Sequence, residues 1–426
     1  MIKKLLNVPN TQAEDYDIEG IIDYIDDDFI ENLKKDKFCK KPLMICSGGT
    51  SSRCAAKEHI TIDFRKNYTE IDYIDFKKEV VIEPGTRMQD LGKFLKSKNR
   101  SFPTGLSGLT GFGYILTGGI SPTSRKYGLA IDNILEINGI WGGGEKFNII
   151  KPDQNSSKLE KKQWKGLCGA APFLAIVTQV KLKTYELNSI YIWEASISSN
   201  QLAEIIEKAE LWPDNASFNW IWSDYIKGLA IIEVSNKEEL EYMKIIVKEL
   251  PKTSDLKISK INGLSTFKGM ELPISNNQVI SRYYSEVLGL LSNSLKGHSY
   301  VLVQMIEEEI RNRPNKFCYI AAQQLGGSTI NNAENLTSFI HRESAWKPWI
   351  NGSWEPNNKR ERDQAIIWME NVWEKLEPYC PGIHLAQLHN HLPWHAKEIN
   401  CAFKNWLPEL RQIKSTFDPK EILPPL

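Results

Sequence analysis

At 426 residues the chain is longer than one ordinary hydrophobic core, so two domains are expected. Its 53 basic and 53 acidic residues cancel, which gives no surplus for a nucleic-acid or anionic-membrane partner. Hydrophobic content of 41% with 25% charged residues is that of a water-soluble globular protein.

From the N-terminus, residues 15 to 37 mix apolar and acidic positions at helical spacing and predict one or two short helices. Neither a secretory leader nor a membrane span is expected, since the opening turns acidic after one short apolar patch. Beyond the apolar run Leu43-Met44-Ile45, strand-like runs follow at Ile60 to Asp63, Glu70 to Asp75 and Val80 to Glu83, and Pro84-Gly85 breaks the last. Met88 to Leu95 reads as an amphipathic helix. Asn133 to Ile137 and Phe147 to Ile150 flank a Gly142-Gly143-Gly144 turn, best read as a flexible hairpin tip. Leu167 to Ala171 leads into a strand from Ala175 to Leu182. Beyond Leu187 the pattern lengthens. Helices are predicted at Gln201 to Trp212, Lys237 to Leu250 and Asp363 to Leu376, interleaved with strands at Gly228 to Glu233 and Phe317 to Ala321. A last helix runs from Phe403 to Thr416. The fold class is therefore α+β, the second part being a sheet with one face covered by helices.

Two glycine turns carry the functional signal. The first is Ser47-Gly48-Gly49-Thr50-Ser51-Ser52, directly after an apolar run. The second lies in the chain's densest glycine cluster and includes Pro103, Thr104, Gly105, Gly108, Thr110, Gly111, Gly113, Gly118 and Gly119. Glycines let the backbone approach closely and turn its N–H groups toward an anion, most plausibly a pyrophosphate. No GxGxxG joins a strand to a helix with a following acid, so a nicotinamide cofactor is not indicated.

In order and spacing these turns resemble the FAD-binding domain of the p-cresol methylhydroxylase (PCMH) / vanillyl-alcohol oxidase superfamily, nearest to its berberine bridge enzyme-like oxidoreductases. Residues 47 to 52 stand at the family's first pyrophosphate loop and 103 to 119 at its second. Ser124 to Asn133 (SRKYGLAIDN) is the most specific match, and Ala175 to Lys181 resembles the closing strand, where Val177 would touch the cofactor. Thr337 to Arg342 resembles a strand of the substrate domain, and Phe417-Asp418-Pro419 the usual ending. The resemblance implies an FAD-binding domain over 1–187, a substrate domain with an antiparallel sheet over 188–392, and a segment over 393–426 that returns to the first domain. It implies FAD as cofactor and hydride transfer from a small organic substrate (an alcohol, amine or sugar-like molecule) with a neighbouring base. Whether the enzyme is an oxidase or a dehydrogenase, and its electron acceptor, stay open.

The chain departs from the family where covalent FAD anchors stand. Thr50 replaces the histidine of the first turn and no cysteine occurs between Ser101 and Tyr127, so FAD is expected to be held non-covalently. The family's C-terminal tyrosine–asparagine motif is replaced by HLAQLHNH at 384 to 391. A catalytically decayed member acting as a ligand-binding or interaction module is therefore the alternative.

Candidate catalytic residues are His341 and Arg342, on the family match around them, Tyr114 inside the second turn, and His389. Four of the seven histidines (His384, His389, His391, His395) crowd together, and His389 with His391 would share one strand face. Their spacing fits no zinc motif, and no metal is expected. Arg125 and Lys126 could steer FAD or substrate, or form a solvated pair. The thirteen tryptophans read mainly as core. Seven scattered cysteines without a CxxC pair suggest free thiols and a cytoplasmic protein.

Overall fold

The computed structural model describes residues 3–35, 38, 42–267, 269, 271–274, 282–330 and 335–426. Two sheet systems organise the N-terminal part. Gly20–Ile22, Ile60–Asp63 and Met44–Cys46 form a small parallel sheet with Ile60–Asp63 in the middle. The first glycine turn leaves the C-terminal end of Met44–Cys46, the end of a parallel strand at which ligands gather in open sheets. The second sheet is antiparallel, in the order Ile71–Ile74, Glu79–Ile82, Ala175–Lys183, Ile134–Trp141, Lys146–Ile150. Its central strand is the expected closing strand.

The glycine hairpin does form between Trp141 and Lys146, but its tip is packed, not loose. A Cβ on Gly142 would lie 2.4 Å from Asp418 Oδ1, and the Gly143 N–H donates to the Phe417 carbonyl at 2.7 Å. The helix Lys158–Leu174 starts on a Ser157–Glu160 capping box and breaks at Cys168 to Ala170, where Gly169 takes φ of +124°. Pro172 lies just beyond that break. Leu407–Phe417 packs on this helix, and the buried Lys414 joins them by donating to the Phe173 carbonyl (2.9 Å) and to Asp418 (2.7 Å).

From Ser189 the chain builds an eight-stranded antiparallel sheet. Its order is Lys257–Asn262, Ser189–Ile197, Ile226–Val234, Ala216–Trp222, Tyr319–Gln324, Trp346–Trp354, Tyr284–Leu291, Gly382–Ile383. Alternation along the strands divides its two faces. Phe218, Trp220, Ile320, Ala322 and Ile350 point toward the helices Ser199–Ala209, Ser299–Arg311 and Lys359–Leu376, in one core with Leu202, Ile206, Leu302, Ile306 and Met369. The opposite face, carrying Leu229 and Ile231, packs on Leu106 and Leu264, so it is turned toward the glycine-rich loops. This is the α+β architecture expected, one sheet face under helices.

Arg125 bolts the two parts together. It is 4% exposed and donates to the carbonyls of Ala216, Leu325 and Trp212 at 2.6–2.8 Å. Lys126 pairs with Glu233 and Glu239. Neither reading of this pair from sequence survives: it is a buried bracket between the sheet and the glycine-rich loop. Among the described residues no helix is long and apolar enough to cross a membrane, and six cysteines are free thiols. Cys39 lies outside the described residues.

Candidate active site

The two glycine turns meet backbone to backbone. A Cβ on Gly48 would fall 2.3 Å from the Gly111 nitrogen, and one on Gly111 would fall 2.2 Å from the Gly48 nitrogen. Ser47 pins the contact, its hydroxyl accepting from the Phe112 N–H (2.7 Å) and donating to the Pro84 carbonyl (2.6 Å). With Gly49 at φ of +71°, the backbone then runs on with the N–H groups of Gly48, Gly49, Thr50 and Ser51 unpaired among the described residues. Successive free N–H groups in a turn form an anion nest.

These turns border a cleft with a cavity volume of about 220 Å³. Of the residues singled out from sequence, Ser47, Gly48, Gly49, Thr50, Ser51, Thr110, Gly111, Gly113, Tyr114 and Val177 line it. A Cβ on Gly113 would meet nothing within 4 Å, so the wall is hollow there. Arg53, Ala171 to Phe173, and Ala386, Leu388, Asn390 and His395 from the C-terminal region complete the wall. Sequence reasoning missed Arg53, although a basic residue directly after a serine-rich turn was the available signal. Its guanidinium donates to the Ala386 carbonyl at 2.8 Å.

Ser52, Pro103, Thr104, Gly105, Gly108, Gly118 and Gly119 stand behind the wall. Pro103 accepts from the Tyr114 hydroxyl, Thr104 turns back to the Phe102 carbonyl, and Gly105 and Gly108 make room for Tyr114 and Gln89. Gly119 has φ of +73° and a Cβ there would strike Ala130 at 2.3 Å. These residues shape the loop. Tyr114 itself lines the cleft, but burial pushes its hydroxyl well above its ordinary value and suits it to donating a hydrogen bond, not to accepting a proton.

His341 and Arg342 are not brought to the cleft. The His341 ring bonds the Cys401 carbonyl at 2.7 Å, under Gly382. Arg342 makes a two-pronged bond to Asp132 (2.8 and 2.9 Å) and also donates to the Phe339 carbonyl. His389 is buried between Glu398 (2.7 Å) and Glu286 (3.5 Å), and Glu286 also accepts from Ser52 and bonds His391. No strand carries His389 and His391; they are brought together by sharing Glu286. Burial alone would lower His389, but the two carboxylates outweigh it and hold it above its usual value. Burial raises Glu286, and the hydrogen bond to His391 with the charge of His389 reverses this and lowers it. This network ties the first glycine turn to the sheet and to the C-terminal segment.

The face of the large sheet that carries Leu229 and Ile231, turned toward the glycine-rich loops, is polar farther along. Register places Asn219 opposite Gln323 and Gln323 opposite Lys347, with Ser217 and Trp349 on the same face. His384 lies beside them, its Nε2 3.6 Å from a Cβ built on Gly118, one residue past Thr117 in the cleft wall. Ser217 Oγ, both amide atoms of Asn219, both ring nitrogens of His384 and Gln387 Oε1 are buried without a hydrogen-bond partner. Native interiors rarely leave such groups unsatisfied, and here they gather on one patch. Burial, reinforced by the charge of Lys347, holds His384 well below its usual value, so its imidazole is neutral at physiological pH.

A dinucleotide needs a row of N–H donors for its pyrophosphate and an adjoining polar chamber for its reactive ring. The nest at 48–51, the hollow at Gly113 and the patch around His384 supply both. The FAD binding domain family matches residues 31–149. The chain as a whole has the fold of a berberine bridge enzyme-like protein. An FAD-linked oxidoreductase of Dictyostelium discoideum is 23% identical over 400 residues, covering 92% of this chain and 84% of that one. Another, from Hypoxylon pulicicidum, is 36% identical over 164 residues, 36% of this chain and 35% of that one. The structure of a berberine bridge enzyme-like protein from Physcomitrella patens superposes with a TM-score of 0.79 at 16% identity, covering 98% of this chain and 92% of that one.

Proposed function

We propose that the flavoenzyme holds FAD without a covalent bond and oxidises a small organic substrate, an alcohol, amine or sugar-like molecule, with His384 as the base. The observation that carries this reading is a neutral, buried imidazole whose Nε2 lies 3.6 Å from a Cβ built on Gly118, the residue after Thr117 of the cleft wall. When bound, FAD supplies a hydride acceptor. The N–H groups of Gly48 to Ser51 hold its pyrophosphate, and Arg53 adds positive charge to the same wall. His384 takes the proton from the substrate's O–H or N–H as the adjacent carbon gives up its hydride, so proton and hydride leave to different acceptors. Asn219 and Ser217 orient the substrate through the bonds they leave open. Thr50 offers no ring nitrogen for a covalent link, which supports non-covalent binding.

The test is direct. FAD-loaded protein is mixed without oxygen with alcohols, amines and sugars while flavin absorbance is followed; bleaching by any of them supports the reading. Bleaching that is undiminished in His384→Ala removes the base assignment. Protein that takes up no FAD defeats the whole reading. Acid precipitation reads the attachment separately: flavin should stay in the supernatant, and flavin in the pellet would overturn non-covalent binding.

A further inference from the structure

Lys347 is a charge without a counter-charge. It is 6% exposed, stands on the sheet face that carries Asn219 and Gln323 and turns toward the glycine-rich loops, and makes neither a hydrogen bond nor an ion pair among the described residues. Its ammonium lies 4.4 Å over the ring of Trp349, two residues along on the same face. No carboxylate acts on it, and burial alone draws it down to about 7. Every other buried cation described above is matched: Lys414 by Asp418, Arg125 by three carbonyls, His389 by two carboxylates.

Isolated buried ammonium groups are costly, and proteins pair them or discharge them. At Lys347 the surrounding groups are neutral and equally unused. Gln323 is its cross-strand partner, Asn219 is next across, and His384 is near enough to feel its charge. Arg53 also acts on His384 with positive sign, so the patch as a whole carries a positive field. A ligand that completes it brings negative charge to Lys347 and hydrogen-bonding groups to Asn219. Partly exposed Trp349 and Tyr319 mark where this face opens.

We propose that the substrate oxidised at this site bears a carboxylate, which Lys347 binds as its counter-ion while His384 faces the group being oxidised. This rests on the reading of the sheet face as the substrate side of the flavin. It narrows the substrate from small alcohols in general to hydroxy or amino acids.

The experiment uses FAD-loaded protein and two matched pairs of probes: lactate with propane-1,2-diol, and mandelate with 1-phenylethane-1,2-diol. Dissociation constants are read from perturbation of the flavin spectrum and, independently, from tryptophan fluorescence, to which Trp349 should contribute. At least one acid should bind tenfold or more tightly than its diol. Lys347→Met, which keeps the length of the stem, should erase that preference and leave diol binding unchanged, and Lys347→Arg should retain it. Equal binding of acid and diol in the native protein would overturn the proposal, as would an equal loss of both in Lys347→Met. The two readings fail differently. Flavin bleached by neutral alcohols with no preference for acids sinks the carboxylate and spares the oxidoreductase mechanism. Acids preferred in fluorescence by protein that is never bleached spare the carboxylate and sink the mechanism.

Discussion

In the first glycine turn the polar groups are main-chain N–H groups from four consecutive residues, Gly48 to Ser51; on and beside the large sheet they are side chains of Ser217, Asn219, Gln323, Lys347 and His384, carried by four separate segments. The first set is fixed by backbone contact, since Gly48 and Gly111 leave no room for a Cβ between them. The second is fixed by sheet register, which tolerates exchange of a side chain while the strands stay paired. On the function proposed above, the first set suits a cofactor whose pyrophosphate does not change, and the second a substrate that can.

Substitution in the first set should be felt by fold and cofactor together. Gly111→Ala sets a methyl group 2.2 Å from a backbone nitrogen, so a loss of about 4 kcal/mol is expected, with failure to take up FAD. Gly113→Ala meets open space, so it should melt as the native protein does while binding FAD at least tenfold more weakly. Thermal melting and FAD titration on the pair separate packing from cofactor contact; equal behaviour would break the distinction. Substitution in the second set should leave FAD affinity alone. His384→Ala should slow flavin reduction by about 10²–10⁴-fold, the usual worth of a general base, at unchanged FAD affinity. A parallel loss of FAD would make His384 part of the cofactor site.

The same contrast explains what could be read from sequence. The glycine turns are contiguous, so their residue types display the backbone constraint directly, and the closing strand Ala175–Lys183 and the helix Met88–Ser97 follow from simple periodicity. The helix Ser299–Arg311 escaped, because Tyr300 to Val303 is an apolar run as compatible with a strand and its N-cap, His298, makes no side-chain capping bond. The polar patch on the sheet escaped for a stronger reason. Asn219, Gln323 and Lys347 become neighbours only through pairing of strands remote in sequence. The histidine cluster drew attention to His389, which carboxylates surround, whereas His384 shows its chemistry by lacking partners, a property no residue string displays.

Between the two sets lies the Glu286 network, where the expected effect is on stability. Glu286→Gln removes the carboxylate from Ser52, His389 and His391, at a cost of about 3 kcal/mol. The pH dependence follows from the directions of the shifts. Glu286 is lowered, so its contribution is complete above 4.5 and is lost as pH falls through the depressed value. His389 is raised, so its contribution is complete below 6.5 and is lost as pH rises through the elevated value. Glu398, Arg53, His391, His395 and Tyr16 are the other charged or titratable groups acting on the pair. The difference in melting temperature between native protein and Glu286→Gln should therefore be widest between pH 4.5 and 6.5. A difference that does not vary with pH would show that packing, not charge, is what the substitution removes.

The smallest effect is expected at Arg342, and it sharpens the line between chemistry and support. Its two-pronged bond to Asp132 ties the stretch after Thr337 to the end of the second glycine loop, and its Nε holds the Phe339 carbonyl. Phe339 in turn packs on Gly118, 3.0 Å from a Cβ built there. Arg342 therefore reaches the cleft only through Phe339 and is a positioning residue. Arg342→Ala should cost about 1–3 kcal/mol, as for a charge-assisted hydrogen bond, and should shift the melting temperature by a few degrees. Arg342→Lys keeps the charge but not the fork, and should recover only part of that loss. Flavin reduction at saturating substrate should stay within a few-fold of native in both. A loss comparable to that of His384→Ala, with the melting temperature unchanged, would place Arg342 among the groups that meet the substrate.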